Sequence, residues 1–178
     1  MAPDQPFTSS PRVALVALVG FFGAGCVGPT VSQIEANNPA NESAVADRTT
    51  VEKDPFIGAL AVVAPPFSFR AGGEPGVYAL LESRGEIWMR CTFIRREWAF
   101  FETAWAIGGR RLESRIHDRK VESGYTVTET IDVRLDRADV IEAPGDLWLR
   151  FDGKRGSAEV VIPQFYLLGF ASKLGATK

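Results

Sequence analysis

Histidine is nearly absent from this 178-residue chain. His117 stands alone, and Cys26 and Cys91 are the two cysteines. One imidazole excludes a multi-histidine metal centre and leaves a Ser-His-Asp triad a single candidate base. Two thiols cannot build a four-cysteine zinc site and allow at most one intramolecular disulfide. A cationic surplus is missing as well, because 20 Lys and Arg face 22 Asp and Glu, for a formal net charge of −2. Without clustered cations to displace counterions from phosphates, nucleic acid is not an expected partner. Nothing in the sequence points to a bound cofactor. The longest apolar run, residues 13–27, spans about 15 positions, short of the roughly 20 that a membrane-spanning helix needs.

That run is the most informative stretch present. Residues 13–22 carry no charge, follow Arg12, and lead into Gly23, Ala24 and Gly25 before Cys26, the layout of an export signal peptide over residues 1–25. The small residues ending in cysteine resemble the lipobox of bacterial lipoproteins, which implies acylation of Cys26 and a lipid anchor in the membrane. Gly23 stands where that pattern prefers leucine, and Gly23 and Gly25 also suit ordinary signal peptidase, so a soluble exported product is the alternative. Val27 in place of aspartate implies, by the Gram-negative sorting rule, the outer membrane, with the domain facing the periplasm.

Residues 28–54 (GPTVSQIEANNPANESAVADRTTVEKD) contain no aromatic residue. Such a composition buries too little apolar surface to offset ordering, and predicts a flexible tether over 26–54. As a coil it spans roughly 30 Å. The remainder, 55–178, reads as one globular domain. With 17 Gly, 11 Pro and 11% aromatic residues, it is expected to be mainly β, an antiparallel β-sandwich-like domain with a short C-terminal helix.

Short apolar or alternating runs at 56–63, 67–70, 77–83, 86–95, 98–106, 111–121, 125–135, 147–152 and 157–162 are the strand candidates. Residues 71–76 are expected as a loop, Arg84-Gly85 and residues 153–156 as hairpin turns, 136–143 as one or two helical turns capped by Asp136, and 163–174 as a helix closed by Gly175. Alternation across 86–95 places Ile87, Met89, Cys91 and Phe93 on one face and Trp88, Arg90, Thr92 and Ile94 on the other. Cys91 is therefore expected to pack as a small hydrophobe. In 111–121 the charged face holds Glu113, Arg115, His117 and Arg119. The clearest period-two signal, 125–135, is interrupted by Glu129 on its apolar side. A carboxylate there needs a partner, and Arg115 and Arg119 are the nearest candidates. On 147–152, Trp148 and Arg150 point away from Leu147, Leu149 and Phe151.

Candidate binding residues are thus Trp88, Arg90, Arg115, His117, Arg119, Glu129, Trp148 and Arg150, with Cys26 for lipidation; no metal ligands and no catalytic set are expected. The segments WAFFETA at 98–104, RIHDRKV at 115–121, TVTETIDVRL at 126–135 and PQFYLLGF at 163–170 together resemble an uncharacterised family of small exported or lipid-anchored bacterial domains. That resemblance implies a place in the bacterial envelope and carries no activity. Three functions are expected candidates. The first is a non-enzymatic envelope lipoprotein that binds or braces a protein or cell-wall partner. The second is a small-molecule or glycan binder using Trp88, Trp98, Trp105 or Trp148 as stacking platforms beside Arg groups. The third is a hydrolase with a carboxylate pair such as Glu102 and Glu129.

Overall fold

Two antiparallel sheets account for most of the described residues, which in this computed structural model are 31–53, 60–122 and 125–174. The expected signal segment, Cys26, residues 54–59 and Gly175 lie outside that range. The larger sheet contains β1 (Thr50–Lys53), β2 (Leu60–Val63), β3 (Phe67–Ala71), β4 (Glu74–Ser83), β5 (Glu86–Arg95), β8 (Ser114–Glu122) and β9 (Thr126–Leu135), in the order β1-β2-β4-β5-β9-β8. β3 also pairs with β4, which is long enough to hold β2 near its end and β3 near its start. The smaller sheet runs β11-β10-β6-β7, from β6 (Phe101–Ala106), β7 (Arg110–Leu112), β10 (Leu147–Gly153) and β11 (Gly156–Ile162). The protein is mainly β and sandwich-like, with the short C-terminal helix.

One continuous core joins the sheets. Tyr78, Leu80, Met89, Cys91, Phe93, Ile131 and Val133 come from the large sheet, and Phe101, Leu149, Phe151, Val160 and Ile162 from the small one. Phe93 lies at its centre, with ring centroids 4.4 Å from Phe101 and 5.0 Å from Phe151, within the range where aromatic pairs add to simple burial. Cys91 is a buried free thiol, and burial pushes its pKa up, so it packs as the small hydrophobe its alternation predicts.

The tether expectation needs correction over 31–53. This part holds α1 (Val31–Ala36), α2 (Glu42–Arg48) and β1. Neither helix is long enough to persist alone in water; both are held by tertiary contacts. Asn41 caps α2 by accepting from the Ala44 N–H at 2.9 Å. Asn38 treats β3 as a neighbouring strand would: its Oδ1 accepts from the Ser68 N–H (2.8 Å) and its Nδ2 donates to the Ser68 carbonyl (3.0 Å). Val45 is fully buried against α4 (Gln164–Leu174), where Gly169 permits the close crossing. A Cβ on Gly169 would stand 2.5 Å from the Glu42 carbonyl oxygen and 2.7 Å from Val45 Cβ.

Other differences are local. The expected loop at 71–76 is a tight turn through Gly72 and Gly73, both at positive φ, so β4 begins at Glu74. The segment 98–106 becomes strand only from Phe101. The helix after Asp136 is α3 (Arg137–Ile141), and Asp136 makes no side-chain cap; its carboxylate pairs instead with Arg110, which also reaches Asp139. Most consequentially, 111–121 is divided between sheets. β7 pairs with β6 in the small sheet, and β8 pairs with β9 in the large one.

Candidate functional site

The eight binding candidates fall in three places. Arg119 and Glu129 meet on the inner face at one end of the sandwich. The register of β8 against β9 shifts between Ile116 and Asp118, leaving His117 as an extra residue and reversing the facing of the residues after it. Arg115 consequently lies opposite Asp132, while Arg119 lies opposite Glu129. Arg115 and Arg119 therefore do not share a face, contrary to uniform alternation. The Glu129 carboxylate accepts from the backbone N–H groups of Ala99 (2.7 Å), Phe100 (3.1 Å) and Phe101 (3.1 Å), and from Arg119 Nε at 3.3 Å. Arg119 also donates to the Phe101 carbonyl at 2.8 Å. Phe100 sits at φ 56°, a left-handed conformation costly for an aromatic residue. The carboxylate thus holds the crossover from β5 to β6. Its four donors identify the partner that the broken apolar row demands, and leave Glu129 engaged in structure. Glu102, the other member of the carboxylate pair, is exposed and bridges to Lys154.

Trp88, Arg90, Arg115 and His117 gather on the outer face of the large sheet. Arg90 grips Asp132 through two hydrogen bonds of 2.8 and 2.9 Å, and both residues are buried. Arg90 Nη2 also lies 2.9 Å from His117 Nδ1. Guanidinium has no acceptor, so Nδ1 accepts, and the imidazole is neutral with its proton on Nε2. Desolvation, followed by the Arg90 charge, holds the His117 pKa below its ordinary value. Trp88 is 7% exposed; the Arg115 guanidinium lies 3.8 Å from its ring centroid, and its indole N–H donates to Glu86 at 3.3 Å. Trp88 is no stacking platform here, because its face is covered and its donor used.

Trp148 and Arg150 belong to the third place, the outer face of the small sheet. Alternation along β10 turns Trp148, Arg150 and Asp152 outward as Leu147, Leu149 and Phe151 turn into the core. Pairing then sets Trp105 and Glu159 on either side of Arg150, and Val161 beside Trp148. An open groove of about 540 Å³ lies over this face, lined by residues including Trp105, Ile107, Gly109, Trp148, Arg150, Asp152 and Glu159, a volume in the range of small-molecule sites. Gly108 and Gly109, at φ 84° and 80°, make the turn that raises Ile107 at one end.

Three features distinguish this groove. Trp148 is 48% exposed. Trp105 Nε1 is buried and finds no acceptor among the described residues, an omission that costs about 1–3 kcal/mol for a desolvated donor. The polar groups also balance: Arg150 bonds Asp152 at 2.8 Å, Arg111 lies 6.0 Å from the Trp105 ring, and Glu159 faces Arg150 across the hairpin. Asp152 and Glu159 are absent from the candidates read from sequence, which include Trp105 only as one of four possible stacking platforms. Continuing the outward row of Trp148 and Arg150 by one step gives Asp152, and pairing Gly153 with Gly156 gives Glu159 opposite Arg150; placing Trp105 beside them needs the register of β6, which no local signal supplies. Trp98, the remaining stacking candidate, is itself stacked on Phe100 at 5.8 Å.

Among the described residues no group of His, Cys, Asp and Glu is arranged to hold a metal ion, and no helix is long and apolar enough to cross a membrane. No family model matches the chain, and neither curated proteins nor solved structures yield a match.

Proposed function

We propose that this chain is a non-enzymatic, exported binding domain of the bacterial envelope, whose contact surface is the outer face of the small sheet. The carrying observation is the groove over Trp105, Trp148 and Arg150. A half-exposed indole beside a guanidinium and two carboxylates on an open sheet face is a combination that a partner can cover with both apolar and polar contacts. The other two polar clusters support the same choice, since their carboxylates and cations are already committed to one another.

The envelope assignment rests on the signal-like segment at 13–26. With Cys26 acylated, five residue steps separate the anchor from Val31 in α1, a distance of at most roughly 18 Å. Such an anchor keeps the domain against the bilayer. Intact-mass analysis of the processed protein from membrane and soluble fractions tests it: acylated Cys26 in the membrane fraction is expected, and an unmodified soluble product removes the anchor.

The binding surface is tested by cosedimentation with isolated envelope fractions. Wild type is expected to pellet, and Trp148→Ala to lose about tenfold in apparent affinity, the scale on which interface tryptophans act, with unchanged circular dichroism. Equal pelleting of the two proteins would remove this face from the function.

A further inference from the structure

Resting on that reading, we infer that the groove takes an uncharged glycan, specifically a chain of β-linked pyranose rings whose hydroxyls are equatorial. Such rings present flat C–H faces above and below and alternating donors and acceptors around the edge. The groove offers the complement of both.

Its stacking surfaces are Trp148 and Trp105. Ile107 N–H donates to the Trp148 carbonyl while Trp105 pairs with Arg150, so the two tryptophans sit diagonally on neighbouring strands, about 7–8 Å apart at their backbones. Along β10 the outward residues Trp148, Arg150 and Asp152 cover roughly 13 Å, at about 3.4 Å per residue, which gives space to more than one ring. The groove is open rather than enclosed, as an extended chain requires.

Charge decides against other ligands. Arg150, Asp152 and Glu159 line the groove, and Arg111 lies 6.0 Å from the ring of Trp105, so a phosphate or an anionic headgroup would meet two carboxylates, and a cation would meet the guanidinium of Arg150 with that of Arg111 nearby. A proline-rich peptide also stacks on tryptophan, but its tertiary amides provide acceptors without backbone N–H donors. Its carbonyls would meet Arg150 and leave Asp152 and Glu159 facing groups that cannot donate. Hydroxyls both donate and accept, and therefore meet the guanidinium and the carboxylates in turn.

The test is a titration of the folded chain with soluble β-1,4-linked hexamers of N-acetylglucosamine and of glucose, followed by two-dimensional NMR of the tryptophan indole N–H signals. The expected result is a shift of the Trp105 and Trp148 signals by at least one hexamer and none at Trp88, whose donor is engaged by Glu86. Trp148→Ala and Arg150→Ala are each expected to weaken binding by about tenfold, with melting unchanged. Millimolar hexamers that move neither signal overturn the inference, as does a proline decamer that moves them where the sugars do not. If the sugars fail while envelope cosedimentation still depends on Trp148, the glycan falls and the binding surface stands. If cosedimentation is also indifferent to Trp148, both fall.

Discussion

The outer faces of the two sheets are made from the same kinds of residue and end in opposite states. On the large sheet Trp88 lies beneath Arg115, Arg90 is held in a fork by Asp132, and His117 accepts from Arg90. On the small sheet Trp148 is half exposed, the Trp105 donor is unpaired, and the Arg150–Asp152 pair lies along the floor of a groove. Tryptophan beside arginine is therefore no signature of a binding site. What separates the two is whether each donor, acceptor and aromatic face is already satisfied from within the chain.

The first way to break this contrast is Asp132→Ala. It leaves the Arg90 charge buried without its partner, and is expected to cost about 3–5 kcal/mol, read as a lower denaturant midpoint. A loss below about 1 kcal/mol would mean the large-sheet cluster is not the closed network described. Gly169→Ala acts at the α2–α4 crossing, where an added methyl must displace Val45 or the Glu42 carbonyl. About 1–3 kcal/mol is expected from such overpacking, with protease cleavage concentrated in 31–53; unaltered cleavage there would show that α2 is not held by that crossing.

Acidity sharpens the contrast. His117 carries a lowered pKa, so the folded state resists the proton that the unfolded chain accepts near pH 6.5. Its contribution is complete above that value and is lost as pH falls through the lower folded pKa. Arg90, Asp132, Asp118 and Arg115 surround the ring. An NMR titration should place the imidazole below 6.5, and Asp132→Asn should lower it further by removing a carboxylate that favours protonation. A midpoint at or above 6.5 would contradict a neutral acceptor at Nδ1. The smallest expected effect is on the open side: Trp148→Ala should change stability by under about 1 kcal/mol. A large loss in thermal melting would place Trp148 in the fold's support and weaken the groove as a free surface.

The strand pattern is readable because period two depends on neighbours in sequence. Residues 126–135 alternate as expected, and Glu129 stands out in that row as a carboxylate that needs partners. The bulge at His117 has no local mark, so sequence alone places Arg115, His117 and Arg119 on one face and misses the reversal that brings Arg119 to Glu129. The helices in 31–53 are illegible for a different reason: their composition is that of a coil, and their order comes from Asn38 on β3 and Gly169 on α4, contacts made across long spans of sequence. The state of each tryptophan, open or closed, depends on cross-strand pairing, which is why Trp88 and Trp148 look alike in sequence.

The docking of α2 on α4 also sets an order of events. α2 packs against a helix made long after it, so it has nowhere to settle until α4 is present. Closing so long a loop adds little extra entropy cost over a shorter one, but it ties completion of the fold to arrival of the C-terminal helix. A chain passing through a narrow export channel would keep α2 undocked until α4 had crossed, and would then complete this part of its fold on the far side.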